Sequence, residues 1–235
     1  MQQTQPPVAI VTGAGKGIGR AAARELASRG YRVCVVSRTQ ADLDETCRGI
    51  EQAMSVAADV TEPPSAQHIV DTTLDQFGRV DALVNCIGLA PLLPVEQTTD
   101  EFWRQTIDTN LSAVFYLCRA VWPVFRRQKG GAIVNISSLA ARDPFGGFHA
   151  YGAAKAGVNL LGLSLAREGA ADNIRVHTIA PGAVETTMFR QLMTEQQYGR
   201  DKTLDPQEVA RVIVHCVTGE LRYTSGEVIY LRKSL

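Results

Sequence analysis

Thr12-Gly13-Ala14-Gly15-Lys16-Gly17-Ile18-Gly19 follows the apolar run Val8-Ala-Ile-Val11 and leads into a helical pattern from Gly17 to Arg29. A strand that passes into a helix through closely spaced glycines is the setting of a phosphate cradle. The glycines permit the tight turn and let the backbone approach a pyrophosphate, while the first turn of the helix offers free N–H donors. Such turns also serve simple chain reversal, so the surrounding sequence has to decide between the two.

Outward from this loop, short apolar runs alternate with amphipathic stretches, the pattern of βαβ units that build a parallel sheet. Val8–Val11, Val33–Val36, Ala82–Val84, Ala132–Ile136, Val176–Ala180 and Glu227–Leu231 read as buried strands, with a weaker one at Met54–Ala57. Helices are expected at Gly17–Arg29, Ala41–Gln52, Ser65–Phe77, Thr99–Arg127, Ala150–Ala170 and Pro206–Val217. The fold class is therefore α/β: one doubly wound, Rossmann-like sheet of about seven mostly parallel strands with helices on both faces. The 235 residues suffice for a single domain, Met1–Leu235, and no repeat or long linker divides them. Pro181–Leu204 is the least regular stretch. It follows a late strand, where open α/β sheets bind ligands, and its 183–204 portion is expected to form a short substrate lid.

Composition narrows the function. With 24 basic and 24 acidic residues there is no bulk field to draw the chain to nucleic acid or an anionic membrane surface, so a small-molecule partner is expected. Met1–Pro7 carries no Lys or Arg and the next apolar run stops at Gly13, which does not read as a secretory signal; a cytoplasmic location is expected. The 5 cysteines are scattered, without a Cys-x-x-Cys pair, and read as reduced structural thiols; no metal site is expected.

The second strand ends in Ser37-Arg38. An NAD-binding unit carries Asp or Glu here for the ribose 2′-hydroxyl, whereas Arg suits a 2′-phosphate. Arg38 can form charge-assisted hydrogen bonds with that phosphate, and Lys16 can assist from the glycine loop, so the cofactor reading is NADP(H). A lone Arg could equally be a solvated loop charge; the missing acid beside it favours the phosphate.

Tyr151 and Lys155 stand four apart in an expected helix and so share a face. A phenol near its unperturbed pKa of about 10 is a poor base at neutral pH, and a nearby ammonium favours the phenolate. Ser137-Ser138 ends the strand Ile133–Ile136, where a hydroxyl could hold a substrate oxygen, and Asn110 falls in the preceding long helix. Taken singly, the Tyr/Lys pair could be a surface contact, Ser138 a cap and Asn110 a helix-surface amide.

Together these residues resemble the short-chain dehydrogenase/reductase family over nearly the whole chain, most of all its 3-oxoacyl-carrier-protein reductase group. Thr12, Gly13, Gly15, Lys16, Gly17, Ile18 and Gly19 correspond to the family's cofactor loop. Asp59-Val60 resembles its adenine-contacting pair, and Asn85-Cys-Ile-Gly88 its Asn-x-Ala-Gly segment. Pro181, Gly182, Val184 and Thr186 resemble its nicotinamide-side loop, and Asn110, Ser138, Tyr151 and Lys155 match its catalytic tetrad in order and spacing. The resemblance implies hydride transfer between a nicotinamide and a carbonyl or alcohol carbon. Tyr151 would exchange the oxygen's proton and Ser138 would hold that oxygen. Lys155 would bind the nicotinamide ribose and lower the Tyr151 pKa, and Asn110 would support a water-linked proton route. It also implies a homodimer or homotetramer, with the helices near Thr99–Arg127 and Ala150–Ala170 pairing between subunits.

Ile87 departs from the family's usual Ala, and the chain lacks the usual Asp-Gly-Gly after Ser225-Gly226. Phe145, Phe148, Leu89, Leu92, Met188 and Phe189 are candidates for the pocket border. His149 could be a second acid, although a lone His is more often structural. The alternative of another class is a non-enzymatic NADPH-binding sensor or regulatory protein that uses the same cradle without turnover.

Overall fold

The computed structural model describes residues 5–233, so part of the Met1–Pro7 reading lies outside the described residues. Seven strands form one sheet: β1 (Val8–Thr12), β2 (Arg32–Ser37), β3 (Ala53–Ala57), β4 (Ala82–Asn85), β5 (Gly131–Ile136), β6 (Ile174–Pro181) and β7 (Val228–Leu231). Their order is β3-β2-β1-β4-β5-β6-β7, and every neighbouring pair is parallel. The chain winds one way from β1 to β3 and the other way from β4 onward. The crevice beyond the carboxyl ends of β1 and β4 is the switch point where such sheets bind ligands.

Alternate side chains feed two cores, as the period of a strand requires. Ile10, Leu83, Ile133 and Val176 pack against α3 (Pro63–Phe77), α5 (Ala113–Gln128) and α6 (His149–Gly169). Val11, Val84, Val134 and Ile179 face α1 (Gly17–Ser28), α2 (Gln40–Cys47) and α8 (Pro206–Thr218). Both faces are covered, which is why the strands read as continuous apolar runs.

A row of polar side chains interrupts the apolar interior of the sheet. Thr12, Asn85, Asn135 and Thr178 are register neighbours across β1, β4, β5 and β6, and all are buried. Asn85 Nδ2 donates to Asn135 Oδ1 at 2.8 Å, and Gly162 of α6 lies over this row, where a Cβ would strike Thr178 Oγ1. The row pins the strand ends from which the loops of the crevice leave.

Two helices differ from expectation. α2 stops at Cys47 rather than Gln52, because the chain turns through Gly49 at φ +79° to enter β3. The helix expected over Thr99–Arg127 is divided into α4 (Asp100–Ile107) and α5 by a π-helical turn at Asp108–Ser112 that contains Asn110. The 183–204 segment contains a short helix, α7 (Thr187–Leu192), and its ends are joined by a parallel bridge between Val184 and Leu204.

Candidate active site

The cradle is shaped by backbone. Gly13 adopts φ +63°, and a Cβ there would lie 2.6 Å from the Cys86 carbonyl oxygen. No other residue satisfies both the left-handed turn and the close approach of the β4 loop. Lys16 caps α1 with extended backbone and no side-chain cap bond, so the first N–H groups of α1 face the crevice. Thr186 closes the other side, its Cγ2 3.0 Å from where a Gly17 Cβ would sit. A glycine-lined gap of this kind fits a dinucleotide pyrophosphate.

Thr12 and Asn85 contribute differently from the rest of the cradle. Their side chains are fully buried and turned into the polar row, with Asn85 also reaching Cys118 Sγ at 3.6 Å. Only their backbone remains for a ligand. Ile18 is partly buried and packs against the α1–α8 core. Arg38 and Asp59 are exposed at the far end of the cleft, beside the buried Val60. The Thr61 backbone N–H and hydroxyl, bonded to Asp59 at 3.0 and 2.7 Å, hold its carboxyl below the usual carboxylate range, with Arg38 adding to the effect.

At the opposite end, Lys155 is buried one turn after Tyr151 on α6. Its Nζ donates to the carbonyls of Ile136 (2.9 Å) and Ile87 (3.4 Å) and lies 5.9 Å from the Tyr151 ring centroid. Ser137 Oγ, 3.1 Å from the Lys155 carbonyl, ties α6 to the end of β5. Asn110 reaches the same β4 loop: Leu89 N–H donates to its Oδ1 at 3.3 Å, and its Nδ2 donates to the carbonyls of Leu89 (3.0 Å) and Thr106 (2.9 Å). Gly88 sits between the two, where a Cβ would be 3.0 Å from Asn110 Oδ1 and 3.3 Å from Lys155 Nζ. Asn110 is thus no helix-surface amide. The π turn aims it inward, and π turns recur where a helix gives up regularity to place a functional group.

Ser138 has two relationships. It caps the 3-10 turn Leu139–Ala141, accepting from Ala140 N–H at 3.1 Å, and its hydroxyl acts on Tyr151 to lower the phenol's pKa. Burial outweighs that influence, so Tyr151 stands above its ordinary 10.0. In the structure Lys155 is itself pushed down to about 8 by burial, and its ammonium is turned to two carbonyls.

Ile87 does not intrude on the cradle through its side chain, which packs against the α3–α5–α6 core. His149 Nε2 lies 2.9 Å from Thr98 Oγ1, so His149 joins the loop after β4 to α6. Phe145, Phe148 and Tyr151 form a chain of rings with centroids 5.8 and 5.3 Å apart, leading inward from a Phe145 that is 58% exposed. Leu92, 50% exposed, packs over Gly147 beside them. Sequence reasoning missed the Glu185–Arg190 pair, whose Oε1 and Nε are 2.8 Å apart. Together with the Thr203 bond at 3.0 Å it closes the 185–203 loop on itself and holds the Glu185 carboxyl down at about 2. Pro181 ends β6, Gly182 N–H donates to the Leu231 carbonyl at 2.8 Å, and Thr186 caps α7, accepting from Phe189 N–H at 3.2 Å.

All five cysteines are free, and burial pushes Cys34 up to about 11 and Cys86, Cys118 and Cys216 up to about 12. Among the described residues no helix is long and apolar enough to cross a membrane, and no group of three His, Cys, Asp or Glu is arranged to hold a metal.

A glycine cradle at the switch point of a parallel sheet, with Tyr, Lys, Ser and Asn converging beside it, is the architecture of one class of oxidoreductases. The chain belongs to that class, the short-chain dehydrogenase/reductase family: the model of the short chain dehydrogenase family matches residues 7–197. It is 35% identical over 232 residues to the 3-oxoacyl-[acyl-carrier-protein] reductase FabG of Escherichia coli, covering 95% of each chain. It is 34% identical over 245 residues to the short-chain reductase protein NovJ of Streptomyces niveus, covering 97% of this chain and 93% of that one. Among solved structures, a putative short-chain dehydrogenase/reductase from Burkholderia xenovorans superposes with a TM-score of 0.90 at 32% identity, covering 97% of this chain and 95% of that one. Levodione reductase superposes with a TM-score of 0.90 at 26% identity, covering 96% of each chain.

Proposed function

We propose that the protein is an NADP(H)-dependent reductase of ketones or 3-oxoacyl thioesters, with Tyr151 as its proton donor. The observation that carries this reading is the meeting of Tyr151, Ser138, Lys155 and Asn110 around the Gly88 segment, next to a cradle fit for a pyrophosphate. A nicotinamide supplies the hydride when bound. The loop Gly13–Gly19 would hold the pyrophosphate, Asp59-Val60 would border the adenosine, and Arg38 with Lys16 would take the 2′-phosphate. Gly88 and the Pro181–Thr186 segment would border the nicotinamide.

At the substrate, Ser138 Oγ and the Tyr151 hydroxyl share the carbonyl oxygen. Burial keeps the phenol protonated at neutral pH, the form that can give a proton to the oxygen as hydride arrives at carbon. Lys155 would hold the nicotinamide ribose and return the proton to Tyr151, with Asn110 supporting a water-linked route to it. The 183–204 segment closes over the substrate as a short lid, and the protein works in the cytoplasm as one 1–235 domain.

Association into a homodimer or homotetramer is supported by apolar side chains left exposed on α4, α5 and α6: Trp103, Phe115 and Leu160. NADPH oxidation measured against a panel of ketones and β-ketoacyl thioesters tests the activity. Turnover with at least one member supports an enzyme. Cofactor fluorescence changes with no consumption would instead support the sensor reading. Parallel assays with NADH test the cofactor choice, and a clear preference for NADH would defeat it.

A further inference from the structure

We propose that Asp42 sets how strongly this chain prefers a 2′-phosphorylated dinucleotide, by holding the Lys16 ammonium in an ion pair that the phosphate has to open. The proposal rests on the NADP(H) reading above. It adds a discriminating residue outside both the glycine loop and the end of β2.

The carboxylate is held in place. Asp42 lies in the first turn of α2, and its Oδ2 is 3.2 Å from Lys16 Nζ, with the lysine side chain 62% exposed and the aspartate 26%. A Cβ on Gly15 would lie 3.0 Å from both Asp42 Cβ and Ser37 Oγ, so Asp42 stands against the glycine loop at the position where an acid is missing from Ser37. The turn is fixed to the loop by Thr46, whose hydroxyl reaches the carbonyls of Asp42 (2.9 Å) and Ala14 (2.8 Å). Arg20 adds Nη2 bonds to the carbonyls of Gly15 and, at 3.4 Å, Asp42, and an Nε bond to Thr46 Oγ1 at 3.1 Å. Arg38 is likewise near a carboxylate, that of Asp59. The cations at the adenosine end of the cleft that a phosphate could draw on, Lys16 and Arg38, thus each stand near a carboxylate.

This arrangement treats the two cofactors unequally. A 2′-phosphate brings close to two negative charges; it draws Lys16 away from Asp42 and leaves that carboxylate beside a like charge. A ribose 2′-hydroxyl is neutral and incurs neither cost. Removing the Asp42 charge should therefore tighten binding of the phosphorylated nucleotide and leave the other nearly unchanged.

Calorimetric titration with 2′,5′-ADP and with 5′-ADP reads this without turnover. Asp42→Asn is expected to raise affinity for 2′,5′-ADP relative to 5′-ADP by about fivefold at low ionic strength, with a smaller gain at high salt. Asp42→Glu, which keeps the charge, is expected to stay near the wild-type ratio. Binding of 5′-ADP reports an intact cradle. If Asp42→Asn loses it, Asp42→Ser carries the test. An unchanged or reduced ratio in the variant that still binds 5′-ADP would overturn the proposal. Because the test is the change in ratio on substitution, it stands apart from the wild type's own preference in turnover, which tests the NADP(H) reading.

Discussion

The two ends of the cleft are built by different physics. The phosphate end is made of backbone, with glycine conformations, an open helix terminus and exposed charges such as Lys16 and Arg38. The proton-transfer end is made of buried side chains: Lys155 is 2% exposed, Asn110 is fully enclosed in its π turn, and both are bonded to carbonyls of the β4 loop. The first end needs room and fixed dipoles and works at any ordinary pH. The second depends on burial to shift protonation, so it is the end that pH and side-chain truncation disturb.

Breaking the buried end should have the largest effect. Tyr151→Phe removes the proposed proton donor and keeps the ring that packs on Phe148, so kcat is expected to fall by about a thousandfold while NADPH binding followed by fluorescence stays within about twofold. Gly13→Ala attacks the backbone end. It places a Cβ against the Cys86 carbonyl at a left-handed φ, and urea denaturation is expected to show a loss of about 3 kcal/mol, with cofactor binding weakened in the folded fraction.

Lys155 offers a smaller test of the claim that only one end titrates. Its folded pKa is lowered from 10.5 to about 8, so between those pH values the unfolded chain binds more protons than the folded one. The group's contribution to stability must therefore rise with pH across that window and be flat below about 8. Unfolding free energies of wild type and Lys155→Met should diverge by about 2 kcal/mol in favour of wild type from pH 8 to 10.5. Arg38→Ala, at the exposed end, should be the mildest change. NADPH affinity is expected to weaken by about 1 kcal/mol, more at low salt than at high, with NADH affinity unchanged in a fluorescence titration.

Much of this was legible in the sequence, for identifiable reasons. Strands buried on both faces write themselves as apolar runs, and even the weak one at Met54–Ala57 forms, as β3. Glycines spaced for a phosphate turn and a Tyr/Lys pair four apart on one helix are local patterns, so spacing alone brings out the loop and the α6 pair. Other features were not local. An i to i+5 turn at Asp108–Ser112 leaves no mark in hydrophobic period, since it exists because Asn110 finds the Leu89 backbone across the cleft. The Glu185–Arg190 pair after β6 and the Asp42–Lys16 pair likewise join charges whose nearness depends on how loops return to the sheet.

By itself, then, the sequence determined the doubly wound sheet, the glycine cradle and the four polar residues beside it, because strand burial, backbone freedom and helical spacing are short-range properties. Only the tertiary structure decided what those groups experience. It raised the Tyr151 phenol and pushed Lys155 down to about 8, turned Asn85 into the sheet, and set a carboxylate against Lys16. Protonation and charge balance depend on everything within a few ångströms, and residues far apart in the chain supply most of those neighbours.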